Sequence, residues 1–283
     1  MSSSDPIVLG SGNFSTTYLK SEQGKDFVLK RIKPKHRDNP KVIRIFENEE
    51  LFQFDREGLP KDVRYFEDYG DHFLVKPFVA GKSLEELRKE LKGEQLKQII
   101  LELLELLIYL EENEITHCDI KPSNVLLGED GKVHLLDFGL AQRLGDPKIN
   151  YTLFSLGFAA PELILNRRMI VDTRSDIYSL GMLLYFMILG QLPYTDDNPS
   201  HFTQLQITYP IPSSKKVDKN LMQLILKCCH KYQFELPPNR YQDLDLDKRL
   251  WAGMKERYQS FSDVKSEIES FPASAFQKKR SLF

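Results

Sequence analysis

Apolar and polar positions alternate with a period of two in the N-terminal part of the chain, the pattern of half-buried strands. Ile7-Val8-Leu9 leads into the turn around Gly10-Ser11-Gly12, Thr16 to Leu19 resumes, and Asp26 to Ile32 follows the turn Glu22-Gln23-Gly24-Lys25. Val63 to Phe66 and His72 to Phe78 are two further strand candidates. Before these two strands, Ile43, Glu47, Leu51 and Phe54 recur at three to four residues, which predicts one amphipathic helix. After Ala80-Gly81 the period changes. Ser83-Leu84-Glu85-Glu86 has the form of a capping box, and Leu96 to Glu112 predicts a long helix. Asp176 to Leu189 predicts an apolar helix stopped by Gly190. Leu221 to His230 and Ser262 to Phe271 predict the last helices. Val125 to Leu127 and Val133 to Leu136 flank Glu129-Asp130-Gly131 as a small hairpin, and 272–283, with its basic Lys278-Lys279-Arg280, is expected to be a flexible tail. The expected class is α+β: a small sheet-rich lobe with one helix (about 7–78), a hinge near Phe78 to Gly81, and a larger, mainly helical lobe (about 82–271). A cleft between two such lobes is a usual ligand site.

Composition narrows the class of partner. Of 283 residues, 41% are hydrophobic and 28% charged, enough for a sizeable core in a soluble chain. A formal net charge of −2 offers no basic field for nucleic acid or anionic membrane. Cys118, Cys228 and Cys229 are too few for a disulfide framework, which fits a reducing compartment. Met1 to Pro6 has neither the basic nor the apolar region of a secretory signal. The most apolar stretch, Leu96 to Leu110, contains Lys97, Glu102 and Glu105 and is too short and too charged to span a bilayer. A cytoplasmic protein is expected, and delivery into another cell by a route without a cleaved signal stays compatible with it.

Chemistry is suggested by residue types at fixed spacing. Gly10-Ser11-Gly12-Asn13-Phe14-Ser15 joins two strand candidates, and its glycines allow a hairpin to close over phosphates with N–H groups facing them. Alone, it reads better as an ordinary turn. Lys30 ends the apolar strand Phe27-Val28-Leu29 and can anchor phosphates if a carboxylate holds it. Glu47 shares the apolar helix face with Ile43 and Leu51; Glu50 is the alternative, whereas Glu49 points elsewhere by spacing. In His117-Cys118-Asp119-Ile120-Lys121-Pro122-Ser123-Asn124, Asp119 can accept a hydroxyl proton, Lys121 can neutralise a transferring phosphoryl group, and Asn124 can hold a metal. Asp137-Phe138-Gly139 adds a second carboxylate for Mg²⁺, and Ala160-Pro161-Glu162 follows.

These segments, with Ser175-Asp176 to Gly181, stand in the order of the eukaryotic-like serine/threonine protein kinases, which the chain resembles from about Ile7 to Phe271. The resemblance implies a bilobal kinase fold and ATP and Mg²⁺ as cofactors. It implies Asp119, Lys121 and Lys30 as catalytic residues. Nucleotide contacts are implied at Gly10, Gly12, Phe14, Ser15, Val28, Lys30, Glu47, Phe78, Asn124, Leu126 and Asp137, with the metal at Asn124 and Asp137. Asp176 would brace the catalytic loop, Glu162 would pair with an arginine near the C-terminus, and His117 would pack under Phe138 as a structural residue. Protein serine or threonine hydroxyls are the implied substrate, favoured over tyrosine by Lys121. The alternatives are a pseudokinase-like scaffold, disfavoured because Lys30, Asp119, Asn124 and Asp137 are all present, and a small-molecule kinase on the same fold.

The sequence also departs from the family pattern. Ser15 stands for the third glycine of the loop. Cys118 replaces the arginine that usually meets a phosphorylated activation loop, which implies an enzyme that needs no such phosphate. Phe154 replaces a glycine, Ser155 the substrate-positioning threonine, and Phe158 a tyrosine. Lys76 falls, to within one residue, at the gatekeeper position, where a lysine is costly unless paired or turned to solvent. About 232–255 reads as an insertion, with Pro237-Pro238, acidic residues from Asp243 to Asp247, and Trp251. A surface loop is the preferred reading of it, and a docking site for a partner the sharper one.

Overall fold

A computed structural model describes residues 7–147 and 153–279. Met1 to Pro6, Lys148, Tyr151, Thr152 and Arg280 of the sequence reading lie outside the described residues.

The alternating N-terminal segments form one antiparallel sheet of β1 (Ile7–Ser11), β2 (Ser15–Glu22), β3 (Lys25–Ile32), β4 (Arg64–Asp68) and β5 (Asp71–Pro77). Its order is β1-β2-β3-β5-β4. In the register Val28 lies opposite Lys76, and Lys30 opposite Leu74. One helix, α1 (Pro40–Glu50), crosses the sheet. Asn39 caps it by accepting the Lys41 N–H at 3.0 Å, and Pro40 occupies the first turn, where its missing donor costs nothing. The capping fixes the helix phase, and the phase differs from the expected one. Val42 and Phe46 face the small-lobe core with Ile32, Val63 and Leu74, whereas Leu51 is exposed just past the helix end.

The large lobe begins with β6 (Gly81–Ser83) and the short α2 (Leu84–Leu87), which carries the capping box between Ser83 and Glu86. It continues with α3 (Gly93–Glu112). Strand β7 (Ile115–Thr116), the hairpin β8 (Val125–Gly128) and β9 (Val133–Leu135), and β10 (Gln142–Arg143) follow. Strand β6 pairs with β8, and β10 with β7. The remaining helices are α4 (Pro161–Ile164), α5 (Thr173–Leu189), α6 (Pro199–Thr208), α7 (Lys219–Cys228), α8 (Asp243–Lys255) and α9 (Phe261–Ser270). Helix α5 is buried along its whole length and ends in Gly190 at φ 75°, a left-handed turn that glycine adopts without strain. Helix α7 packs on it, and α9 packs on α7 and on the leucines of α3 within the same apolar core. This core makes the large lobe a rigid base for the loops that face the cleft. No helix among the described residues is long and apolar enough to cross a membrane.

Two expectations are corrected here. Only the first part of the 232–255 stretch is a surface loop: 232–242 is largely irregular and exposed, whereas Asp243 to Lys255 is helical, and its acid residues are tied down. Arg167 reaches Asp247 at 2.6 and 2.8 Å and Asp243 at 2.8 Å, while Arg174 stacks over Trp251 at 4.1 Å. Nor is the tail loose as far as residue 279. Ala275 and Phe276 are buried against the core, and the Lys279 N–H reaches the Lys216 carbonyl at 2.7 Å.

Candidate active site

A cavity of about 720 Å³ opens between the lobes, within the usual range for small-molecule sites. Its walls include Gly10, Thr17 and Val28 of the small lobe, Phe78 of the hinge, and Leu126 beneath; Lys30, Lys76, Asn124 and Asp137 bring the polar groups. Gly12, Phe14, Ser15 and Glu47 are not in this lining. The Gly12 N–H bonds to the Ser15 carbonyl at 3.0 Å, closing a tight turn, and the Phe14 ring packs edge-on to His36 with centroids 5.3 Å apart.

At the inner wall, β3 presents Lys30. Its Nζ lies 3.1 Å from Asp137 Oδ1 and 3.1 Å from Glu49 Oε2. Glu49, only 1% exposed, is therefore the carboxylate that holds the strand lysine, in place of Glu47 or Glu50. The reason is the helix phase: Glu49 lies seven residues after Val42 and three after Phe46, on the face that looks into the lobe. Glu47 faces out and pairs with Arg44 at 2.9 Å, and Glu50 accepts the Tyr65 N–H at 3.1 Å. Glu49 also takes a second lysine, since Lys76 Nζ sits 2.6 Å from its Oε1. A lysine at this part-buried position is thus tolerated because it is paired.

Burial alone lowers the Lys30 pKa, yet the Asp137 and Glu49 carboxylates outweigh it and hold the ammonium raised. Burial likewise pushes the Asp137 carboxyl up, but Lys30, Lys76 and Lys121 pull it well below the ordinary range. Lys76→Met keeps the length of the side chain and leaves Glu49 with one cation. It is expected to cost about 1–3 kcal/mol, the size of a lost charge-assisted bond to a buried group. A thermal melt that stays at the wild-type midpoint would show the contact to be neutral.

Asp137 is held in the left-handed region, at φ 69°, and its neighbours are anchored on both sides. Phe138 is fully buried against the rings of Phe54, Phe52 and His117. Asn48 of α1 donates to the carbonyls of Gly139 at 3.1 Å and Ala141 at 2.9 Å. Nothing in the sequence reading singled out Asn48. A buried amide on the helix face next to a glutamate was its only signal.

Below the cavity the loop after β7 is braced from α5. Asp176 accepts the His117 N–H at 2.6 Å and the Cys118 N–H at 2.9 Å. Burial pushes its carboxyl up to about 7, against the pull of those two donors. Cys118 takes φ 64°, a conformation stabilised by these bonds. Asp119, like Lys121, lies outside the cavity lining and adjoins it through Asn124. Its Oδ2 accepts from Lys121 Nζ at 2.8 Å and from Asn124 Nδ2 at 2.9 Å, and its Oδ1 accepts the Ser155 hydroxyl. Lys121 Nζ also reaches Ser155 Oγ at 2.7 Å. Glu162 and Arg257 form a fully buried pair at 2.6 Å that joins α4 to the C-terminal helices. Burial raises the Glu162 carboxyl, but Arg257 and the Ser175 hydroxyl hold it below the ordinary range.

The donor set suits a hard cation. Asn124 spends its amide N–H groups on Asp119, at 2.9 Å to the carbonyl and to Oδ2, which leaves Oδ1 as its acceptor. The Asp137 carboxylate, which lines the same cavity, is a second oxygen donor. Oxygen donors alone are what Mg²⁺ prefers.

Comparison with known proteins agrees with this geometry. The family described as "Protein kinase domain" matches residues 5–236. A "probable serine/threonine-protein kinase" of Clostridium acetobutylicum is 32% identical over 198 residues, 66% of this chain and 29% of that protein. A serine/threonine-protein kinase of Caenorhabditis briggsae is 29% identical over 231 residues, 77% of this chain and 19% of that protein. The serine/threonine-protein kinase PrkC of Bacillus subtilis is 24% identical over 253 residues, 85% of this chain and 39% of that protein. The chain thus spans well under half the length of these curated relatives.

Proposed function

Since the chain belongs to the protein kinase family, with the domain match over residues 5–236, we propose that it transfers the γ-phosphoryl group of Mg-ATP to serine or threonine hydroxyls of proteins. We further propose that it does so without a phosphate on its activation loop. The observation that carries this reading is the triangle of Asp119, Lys121 and Ser155, closed by the 2.8 Å and 2.7 Å contacts of Lys121. It places a carboxylate and an ammonium side by side next to Asn124 of the cavity lining, with a loop hydroxyl meeting both. The names of the relatives support the choice of serine and threonine.

In this reading Asp119 orients the substrate hydroxyl and takes its proton. Lys121, freed from part of its contact with Asp119, turns to the charge that builds on the phosphoryl oxygens. Lys30, fixed by Glu49 and Asp137, holds the nucleotide's phosphates. Asn124 and Asp137 would hold Mg²⁺, which when bound neutralises charge on the β- and γ-phosphates. The buried free thiols Cys118, Cys228 and Cys229 support a reducing compartment.

The test is transfer of the terminal phosphoryl group from Mg-ATP to a generic protein substrate, before and after phosphatase treatment of the enzyme. Treated protein is expected to keep most of its activity. Ser155→Ala is expected to lower kcat/KM about tenfold, the size of one hydrogen bond to a charged group. Loss of activity on phosphatase treatment, restored by re-phosphorylation, would refute phosphate independence while leaving the kinase assignment intact.

A further inference from the structure

Arg167 and Arg168 are neighbours with opposite surroundings. Arg167 faces α8 and pairs with Asp243 and Asp247. Arg168 turns inward and is 4% exposed, and among the described residues it forms no ion pair with a carboxylate. A buried guanidinium is costly unless its N–H groups are satisfied. Here backbone and amide oxygens take both terminal nitrogens, while Nε is buried without a partner among the described residues. One terminal nitrogen reaches the Leu140 carbonyl at 3.3 Å and Gln142 Oε1 at 3.5 Å, and the other reaches the Leu153 carbonyl at 3.2 Å. Gln142 answers by donating to the Arg168 carbonyl at 3.0 Å. The guanidinium also lies beside the Cys118 thiol.

These contacts join stretches that the site requires in register. Leu140 and Gln142 lie three and five residues after Asp137, and β10 pairs Gln142 with Thr116, just before the loop that carries Asp119. Leu153 stands two residues before Ser155, whose hydroxyl meets Asp119 and Lys121. We propose that Arg168 is the positioning residue that sets Ser155 against Asp119 and Lys121, by clamping the Leu140 and Leu153 carbonyls with one guanidinium. The clamp does what a phosphate-bound cation would do, but its ligands are main-chain oxygens, so it needs no modification to close. Only a planar fork reaches two carbonyls on separate strands of chain at once, and a lysine ammonium in the same place holds one of them. Arg168 touches neither the nucleotide pocket lining nor the reacting groups. Its effect runs through Ser155, and the proposal rests on the kinase reading only for its kinetic readout.

The experiment uses the full chain with Arg168→Met and Arg168→Lys, each checked by thermal melt. Steady-state kinetics are measured with a generic protein substrate and with ATP varied, and hydrogen exchange is followed at the amides of 140–143 and 153–158. Arg168→Met is expected to lower kcat/KM for the protein substrate about 30-fold or more, the size of one to two charge-assisted hydrogen bonds, with KM for ATP changed less than about threefold. Exchange should quicken in those two stretches and stay at the wild-type rate in α3 and α5. Arg168→Lys should recover part of both. If Arg168→Met does not fold, Arg168→Lys decides: its loss of protection near Leu153 is expected, and wild-type exchange and kinetics would overturn the proposal. An equal loss in every kinetic constant with exchange raised throughout the large lobe would also overturn it, because Arg168 would then be a general stability residue. So would phosphatase-treated wild type behaving like Arg168→Met, since the guanidinium would then serve a phosphate. Should the wild type transfer no phosphate to any protein, the kinase reading fails, and the exchange data still decide whether the clamp exists.

Discussion

Asp119→Asn is expected to reduce kcat for phosphoryl transfer about 10²–10⁴-fold, the range that one positioned general base contributes. The substitution keeps the size of the side chain and removes its charge. In the native loop both carboxylate oxygens act only as acceptors: Oδ2 receives Lys121 and Asn124, and Oδ1 receives the Ser155 hydroxyl. An amide NH₂ in that position turns a donor toward one of these donors and forfeits one contact. Lys121 loses its counter-charge, and the substrate hydroxyl loses its acceptor. The fold should survive, because the bonds that shape the loop run from His117 and Cys118 to Asp176, and from Asn124 to the Asp119 carbonyl. Nucleotide binding should survive too, since Lys30, Glu49 and Asp137 are untouched. A thermal melt with Mg-ATP separates these cases: ligand that binds the native state still raises the midpoint. Wild-type turnover by Asp119→Asn would remove the residue from the mechanism.

Where function depends on short spacing, the sequence was informative. His117 to Asn124 and Asp137 to Gly139 are local patterns, and their side chains meet because each loop is short and anchored at both ends. The strands were legible for the same reason, as period-two alternation fixes which face each residue takes. Helix α1 shows where this stops. Ile43, Glu47, Leu51 and Phe54 form a plausible stripe one residue out of phase with the buried stripe of Val42, Phe46 and Glu49. Polarity cannot choose among Glu47, Glu49 and Glu50. The choice is made by two lysines arriving from β3 and β5, contacts distant in sequence. The start signal Asn39-Pro40 was present and would have set the helix limits. Its stop at Glu50 leaves Leu51 outside.

The same distance hides Arg168. Cys118 could be seen to lack charge, but not that a guanidinium from the segment after α4 lies beside its thiol. Helix α8 was passed over because its acidic run reads as solvated until Arg167 is placed against it. Packing partners that are far apart in the chain leave no periodic trace, and it is these that decide which of several similar charges works at the site.

The choice among the glutamates yields the second large effect. Glu49→Gln is expected to lower kcat/KM about 10²-fold, comparable to removing one preorganised electrostatic contact from an active site. Glu47→Gln should leave activity unchanged and shift stability by no more than about 0.5 kcal/mol, as for surface positions generally. The asymmetry follows from burial and charge count. Glu49 is 1% exposed and neutralises two ammonium groups, Lys30 at 3.1 Å and Lys76 at 2.6 Å. With glutamine there, an amide meets two cations, only one oxygen can accept, and the lysines repel each other across it. Lys30 then keeps only its existing ion pair with Asp137, and the strand lysine loses the carboxylate that fixes it from the helix side. Glu47 meets only Arg44 at the surface, at 2.9 Å, where solvent screens the pair. KM for ATP should rise in Glu49→Gln, because the phosphate anchor is the part displaced, and a matched Lys30→Met should add little to the loss, since the two residues act as a unit. Steady-state kinetics of the two single variants and the double variant test this. If Glu47→Gln is the damaged enzyme, or if the losses from Glu49→Gln and Lys30→Met simply multiply, the helix phase and the assignment of Glu49 are both wrong.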